Sequence, residues 1–471
     1  MEFLNGRSPG KFLEHTASEL GCSITAQDLA LHLDKCDEIR HLREQFLIPK
    51  VKDLPPSDLS LVDASEDCIY FAGNSLGLQP KAVKKYIDDE LDKWAKIAIH
   101  GHFEGRLPWA FAENCIENIM AEIVGAKVEE VALMNGLTVN LHLLLLAFYK
   151  PTKSRHKILI EEKAFPSDHY AAESQIRLRG YDPKHSLLLI KPREGEKTLR
   201  HEDILSTIER EGESTAVILL SGVQYYTGQL FDMAAITKAG KKKGCFVGFD
   251  CAHAVGNAEL YLHDWGVDFA CWCSYKYMNS GAGGLAGAFV HEKHAHTVEP
   301  ALLGWWGHNL KSRFLMNNEM DLNPGINGYR LSNQSILLVC SLKASLEIFN
   351  QCDMKALRKK SVLLTGYLEY LIKYYHTKDA DNPHRPYINI ITPSNIKERG
   401  CQLSLSFSIP VREVFKELEK RGVCCDMREP NVLRVAPVPL YNTFNDVYRF
   451  ISALGSALTA SQNSNGTQTS P

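Results

Sequence analysis

Seven short apolar runs, spaced through residues 130–291, constrain this chain more than any other feature. They are EVALMN (130–135), KILIEE (157–162), SLLLIKP (186–192), TAVILLS (215–221), the runs ending at Asp250 and Cys273, and LAGAFVH (285–291). Each has the length of a strand, and most carry continuous apolar residues rather than an apolar/polar alternation. Continuous apolar strands are buried on both faces, which is the condition of a parallel sheet covered by helices. Helix-patterned stretches separate most of the runs, among them an amphipathic segment over 114–125. The expectation is an α/β fold: a large domain with a mainly parallel sheet and helices on both faces. Ligands of such sheets sit beyond the carboxyl ends of the strands. Thr138, Phe165, Ser221, Asp250 and Lys276 all fall there or just beyond.

The pattern changes after residue 300. GWWGHNLKSRF (304–314) and NPGING (323–328) read as irregular chain, followed by a helical run over 332–376. QLSLSFSI (402–409), a helix over VREVFKELEKRG and a strand at VLRVAP then form a second, smaller α/β domain. The expected boundaries are an N-terminal helical segment over 1–90, associated with the small domain or with dimer contacts; a large domain over 91–310; a small C-terminal domain over 311–458; and a disordered tail over 459–471. The tail SQNSNGTQTSP has no apolar period. Its Asn465-Gly466-Thr467 matches a glycosylation sequon that a cytosolic chain would not use.

Composition excludes several classes of partner. A net charge of −3 leaves no electrostatic footprint for nucleic acid or an anionic membrane. Lys241-Lys242-Lys243 before Gly244 reads as a helix end carrying cations on its dipole and a glycine cap. The longest apolar run, LHLLLLAFY (141–149), is too short to span a bilayer, and MEFLNGRSPG lacks the apolar core of a signal peptide. The thirteen cysteines show no CxxC spacing, and several lie inside apolar strands. They read as small buried hydrophobes in a reducing compartment, so the expected location is the cytoplasm.

Two residues carry the chemistry. Asp250 ends the apolar run CFVGF, and Lys276 follows DFACWCSY and precedes the glycine-rich loop NSGAGG. Alone, the lysine reads as a solvated loop residue and the acid as a helix cap. Together, in segments with few other charges, they suit pyridoxal 5'-phosphate. The lysine would hold the aldehyde as a Schiff base, and the acid would hydrogen-bond the protonated ring nitrogen. Asn135-Gly136-Leu137-Thr138 ends a strand and opens an apolar helix, and free amides at such a start suit a phosphate. A plain Thr N-cap is the competing reading. Arg434 lies in an apolar strand, where burial demands an anionic partner. A substrate carboxylate would serve, held by a fork that lysine cannot match. The other reading, an internal salt bridge, lacks an acid close in sequence after Glu429.

FAGNSLGLQP (71–80), NGLTVNLH (135–142), AFPSDHYA (164–171), the Asp250–Gly284 block, GWWGH (304–308), GYRLSNQ (328–334) and LRVAPVPLYN (433–442) occur in an order that resembles the fold type I pyridoxal phosphate enzymes. Within them the chain resembles the kynureninase family over about residues 70–440. The resemblance implies hydrolytic cleavage of the Cβ–Cγ bond of L-kynurenine or 3-hydroxykynurenine, giving alanine and anthranilate or 3-hydroxyanthranilate. It implies cofactor contacts from Leu137, Thr138, Phe165 on the ring face, Asp168 on the phosphate or O3' side, Ser221, Asp250, His253, Tyr275 and Lys276. Tyr275 would also serve as a catalytic acid–base. Trp305 and Asn333 would complete the site across the interface of a homodimer. Arg434 would bind the substrate carboxylate, and His102 and Asn333 its aryl ring. No metal is implied. The competing readings are a cysteine desulfurase or class-V aminotransferase and a silent scaffold. The former place a histidine where this chain has Phe165, and the latter would not need Asp250, Lys276 and Arg434 together.

Overall fold

The computed structural model describes Leu4 and residues 7–466. The chain forms two compact units: Met1–Pro80 with Tyr226–Gln229 and Cys352–Pro471, and Lys81–Tyr225 with Leu230–Gln351.

The larger unit is built on a seven-stranded sheet. Its strands are β1 (Val131–Leu133), β2 (Lys157–Glu161), β3 (Leu187–Ile190), β4 (Thr215–Ser221), β5 (Phe246–Asp250), β6 (Phe269–Trp272) and β7 (Gly287–Val290). The spatial order is β1-β7-β6-β5-β4-β2-β3. β3, β2, β4, β5 and β6 run parallel, while β7 is antiparallel to both β6 and β1. Every residue of β4, β6 and β7 is buried, as continuous apolar runs require. The helix Leu137–Phe148, apolar nearly all round, packs against β6 and the helix Pro166–Leu178.

The chain order fixes where a ligand can bind. From β2 the chain steps outward to β3, then returns to the other side of β2 as β4 and continues to β5 and β6. The order therefore reverses between β2 and β4, and the crevice at their carboxyl ends is the expected binding place. Glu161 ends β2 and Ser221 ends β4, while the ladder pairs Ser221 with Asp250 and Asp250 with Cys271.

The smaller unit packs the helices Pro9–Leu20, Gln27–Cys36, Met354–His376, Val411–Lys420 and Phe444–Gly466 with a four-stranded sheet. That sheet comprises β8 (Ile388–Ile390), β9 (Leu403–Phe407), β10 (Asp426–Arg428) and β11 (Val432–Val435), in the order β8-β9-β11-β10 and antiparallel throughout. Leu13, Leu29, Leu364, Leu405, Leu433 and Phe450 lie in its core.

Three boundaries differ from those read in the sequence. The N-terminal segment, expected over 1–90, ends at Pro80, and the helix Ala82–Ile97 belongs to the larger unit. The segment 311–351, expected in the small domain, belongs to the larger unit. Buried Arg330 is paired there with Glu117, and the helix Ile336–Phe349 packs on Ala82–Ile97 and Asn114–Val124. Of the tail expected to be disordered, residues up to Gly466 continue the last helix; Thr467 of the sequon and the residues after it lie outside the described part. Among the described residues no helix is long and apolar enough to cross a membrane.

Candidate active site

Leu137, Thr138, Phe165, Ser221, Asp250, His253, Tyr275 and Lys276 line one pocket. Each arrives by a local feature of the sequence. Asn135 adopts a left-handed conformation, φ +54°, which a short polar side chain tolerates. It turns the chain from β1 into the helix Leu137–Phe148. That helix is capped by Gly136 with no side-chain cap bond, so its first amides have no side-chain acceptor. Thr138 is thus the second residue of the helix, not its N-cap. Phe165 precedes Pro166 at the start of the next helix and stands 39% exposed.

The chain leaves β6 at Trp272 and bends sharply. Asn279 N–H donates to the Lys276 carbonyl (3.0 Å), Ser280 N–H donates to the Ser274 carbonyl (3.1 Å), and the Ser274 and Ser280 hydroxyls lie 2.6 Å apart. A Cβ on Gly284 would sit 2.1 Å from Ser280 Oγ, so only glycine lets the loop close this tightly. On a straight strand Tyr275 and Lys276 would point to opposite faces. The bend brings both into the pocket.

Lys276 Nζ lies 2.9 Å from His253 Nε2, 5.7 Å from the Phe165 ring centre and 5.9 Å from that of Tyr275. Burial pushes the Tyr275 phenol up to about 12, so it keeps its proton at neutral pH. Phe165 also meets Tyr225 edge-on at 5.2 Å.

Beneath the pocket lie three buried carboxyls. Asp250 Oδ1 accepts from the Ala252 amide at 2.7 Å. Burial pushes Asp250 up, while Lys276, the Ala252 amide and a hydrogen bond from Asp168 pull it back. Asp168 is pushed well above the carboxylate range by burial and then by the Asp250 charge. Two carboxyls in contact disfavour double ionisation, and the stronger upward push falls on Asp168, which favours its protonated form as donor to Asp250. Asp168, expected on the phosphate or O3' side of the cofactor, has its carboxyl bonded to Asp250. Glu161, the third, takes the Ser221 hydroxyl and accepts from the Ser221 amide at 3.2 and 3.3 Å. Burial raises it to about 6. Glu161 was not singled out in the sequence, although it carries the signal that marked Asp250: an acid at the end of an apolar strand.

The remaining expected site residues lie elsewhere. His102, Trp305 and Asn333 do not line this pocket and are exposed on the larger unit. His102 packs edge-on against Trp109 at 5.3 Å, and Trp305 Nε1 donates to the Arg313 carbonyl at 3.0 Å. Trp306 is buried with its indole N–H on Glu113 at 2.6 Å, a packing role. Arg434 belongs to the smaller unit, where it is 1% exposed and donates to Asp426 Oδ2 at 2.6 Å. The acid that the sequence did not supply after Glu429 comes from the neighbouring strand β10, so the internal salt bridge exists.

An acid, a lysine and a helix start converge at the carboxyl ends of the parallel strands, in keeping with the class-V aminotransferase fold. The Aminotransferase class-V family matches residues 69–402. A solved apo cysteine desulfurase from Thermococcus onnurineus NA1 superposes with a TM-score of 0.67 at 17% identity, covering 86% of this chain and 98% of that one. The cystine C–S lyase C-DES in complex with cysteine persulfide gives 0.66 at 14%, covering 82% and 97%. Within that fold the chain belongs to the kynureninase family and is a hydrolase that cleaves a carbon–carbon bond of kynurenine. The Kynureninase C-terminal domain family matches residues 357–454. The chain is 64% identical to the kynureninase of Homo sapiens over 97% of its own length and 98% of the relative. It is 53% identical to that of Nematostella vectensis over 95% and 97%, and 49% to that of Myxococcus xanthus over 91% and 96%. The desulfurase reading falls to these identities, since the desulfurase likeness extends to the fold alone.

Proposed function

We propose that Lys276 is the residue that binds pyridoxal 5'-phosphate covalently, as a Schiff base, and that the pocket around it carries out the kynurenine cleavage. The observation behind this is the lone cation, Lys276 Nζ, set 2.9 Å from His253 and electrostatically coupled to Asp250. The residues fit the group: an acid for a ring nitrogen, an aromatic face at Phe165, and uncapped amides at Leu137 and Thr138 for a phosphate. Bound there, the cofactor supplies an electron sink for the electrons released at the substrate α-carbon and when the Cβ–Cγ bond breaks.

The chain's own groups do the rest. Asp250, ionised and steadied by the proton on Asp168, holds the positive charge of the ring nitrogen. Lys276 Nζ would take the substrate α-proton and hand it back, with His253 as its hydrogen-bond partner. Tyr275, protonated at neutral pH, donates to the γ-carbonyl oxygen as water adds there. Arg434 binds the substrate α-carboxylate, with Asp426 holding the guanidinium in place. The substrates are L-kynurenine and 3-hydroxykynurenine.

His102, Trp305 and Asn333 serve the partner subunit's site in a homodimer. Their exposure supports this, as does an exposed aromatic cluster in which Phe314 meets Trp305 at 5.6 Å and Phe103 at 5.7 Å. The enzyme works in the cytoplasm, in keeping with thirteen free thiols. Spectral titration with the cofactor tests the covalent assignment. The wild type should develop a Schiff-base absorbance band, and Lys276→Ala should bind without it. The same band in Lys276→Ala would remove the assignment.

A further inference from the structure

A second, larger cavity lies wholly within the smaller unit. Its volume is about 820 Å³, in the range of small-molecule sites. One wall is the helix Phe444–Gly466, whose facing residues Ser452, Gly455, Ser456 and Thr459 are small. A Cβ built on Gly455 meets nothing within 4 Å, so the helix leaves the space open there. The floor is apolar: Leu371, Ile451 and Leu458 are all buried, and the Tyr375 and Tyr448 rings flank them.

The polar groups of this cavity have one sign. Among the described residues, Arg385 and Arg421 line it and no acidic residue does, in a protein whose net charge is negative. The acids that touch these arginines are not among the lining residues. Arg421 Nη1 bonds the Glu417 carbonyl (2.7 Å) and carboxylate (2.5 Å). Arg385 donates to the Tyr375 carbonyl at 2.8 Å, with Asp379 at 3.9 Å. Each guanidinium has five N–H donors, so both retain donors for a further acceptor.

His376 adds an independent observation. It lines the cavity, is only 6% exposed, and its Nε2 has no hydrogen-bond partner among the described residues. A buried polar atom without a partner is costly. Burial and the Arg385 charge hold the imidazole down to about 4, so it is neutral at physiological pH. The positive charge of the wall is thus that of the two arginines, with the imidazole as a neutral polar neighbour.

We propose that this cavity is a ligand site for an organic anion, a carboxylate carried on an apolar or aromatic body. The carboxylate pairs with Arg385 and Arg421, and the body lies between the tyrosines on the leucine–isoleucine floor. An inorganic anion would leave that floor unused, and an apolar molecule would leave the remaining N–H donors of the arginines unused.

Calorimetric titration of the holoenzyme with naphthalene-2-carboxylate tests this. The expected result is saturable binding at one site per chain, with no change in the KM for kynurenine. Arg385→Gln, on the exposed rim, should weaken binding by about tenfold or more while the unfolding temperature holds. Gly455→Phe should abolish binding by filling the space, and its kynurenine turnover should match wild type. Gly455→Ala, which adds one methyl in open space, should still bind and guards against a folding defect as the cause. The proposal is overturned by absence of binding at millimolar concentration, by equal binding in Gly455→Phe, or by competition with kynurenine. Binding that appears only after removal of residues 467–471 would also overturn it, because the cavity would then be the seat of the chain's own end.

Discussion

Lys276 Nζ and His253 Nε2 are 2.9 Å apart, although 23 residues separate them in sequence. His253 follows the end of β5 by one short turn, and Lys276 follows the end of β6. The two strands are neighbours in the sheet, so the ladder that pairs Asp250 with Cys271 also sets this contact. A hydrogen bond between the two nitrogens holds the lysine in one place, which is what a group that must take and hand back a proton needs. His253→Phe should therefore lower kcat by about a hundredfold, within the usual range for a positioned proton-transfer partner, with a smaller effect on KM. Single-turnover kinetics with deuterium at the substrate α-carbon should show a larger isotope effect than in wild type. An unchanged isotope effect and kcat would separate His253 from the proton transfer.

Asp168 donates a proton to Asp250, and asparagine can donate there too. Asp168→Asn should leave kcat/KM within about tenfold of wild type, since a neutral donor replaces a neutral donor. Asp168→Ala removes a bond that pulls the Asp250 titration down. Its acid limb in the pH profile of kcat/KM should move to higher pH. Equal displacement of the limb in both variants would show that Asp168 acts through its shape and not its proton.

Glu161 gives a stability prediction. Its folded value, about 6, lies above its ordinary value of 4.5, so the folded state favours the protonated form. The unfolded chain loses that proton first as pH rises. Stability from this group is therefore greatest below pH 4.5 and falls as pH climbs through 6. A displacement of roughly 1.5 units corresponds to about 2 kcal/mol. Glu161→Gln keeps an acceptor for Ser221 and removes the titration. Denaturant unfolding of the cofactor-free protein should show the variant gaining about 2 kcal/mol on wild type between pH 4.5 and 7. A constant difference across that range would contradict the buried, proton-binding role.

If Arg434 binds the substrate carboxylate as well as Asp426, one substitution can separate the two tasks. Lysine can pair with Asp426 but cannot form a bidentate fork on a carboxylate. Arg434→Lys should keep the unfolding temperature near wild type and still lose kcat/KM for both kynurenines. Arg434→Ala should lose both: breaking the buried pair with Asp426 costs stability, and loss of the carboxylate's charged partner, roughly 3–5 kcal/mol, lowers kcat/KM by about two to three and a half orders of magnitude. If Arg434→Lys is fully active, the arginine is a structural partner of Asp426 only.

If Trp305 and Asn333 serve a partner's site, two inactive proteins should repair each other. Subunit exchange between Lys276→Ala and an inactive Asn333 variant should restore partial turnover in hybrid dimers. Proven exchange with no recovery would mean that each chain builds its own site.

Much of this site was legible because its signals are local. Apolar runs of strand length ended at Asp250 and just before Lys276, and the parallel sheet placed their ends side by side. Glu161 carried the same signal at the end of KILIE but lacked a motif to draw attention to it. The bond between Asp168 and Asp250 was not legible because 82 positions separate them, and a lone carboxyl in sequence gives no sign of its partner. Asp426 escaped notice for a similar reason: it reaches Arg434 across a hairpin and not along the strand. The boundary near residue 351 was missed because the helical run 332–376 looks continuous, whereas Asn350–Asp353 breaks it into two helices belonging to different units. Pairings across a sheet or between helices depend on the whole fold, and periodicity along the chain does not encode them.

The central claim is that Lys276 alone carries the cofactor. Reduction of the holoenzyme with borohydride, followed by digestion and mass spectrometry of the labelled peptide, tests it most directly. One modified peptide spanning the turn after β6 is expected, with the pyridoxyl group on Lys276, and no label in Lys276→Ala. A label on any other lysine, or an equal label in the variant, would contradict it.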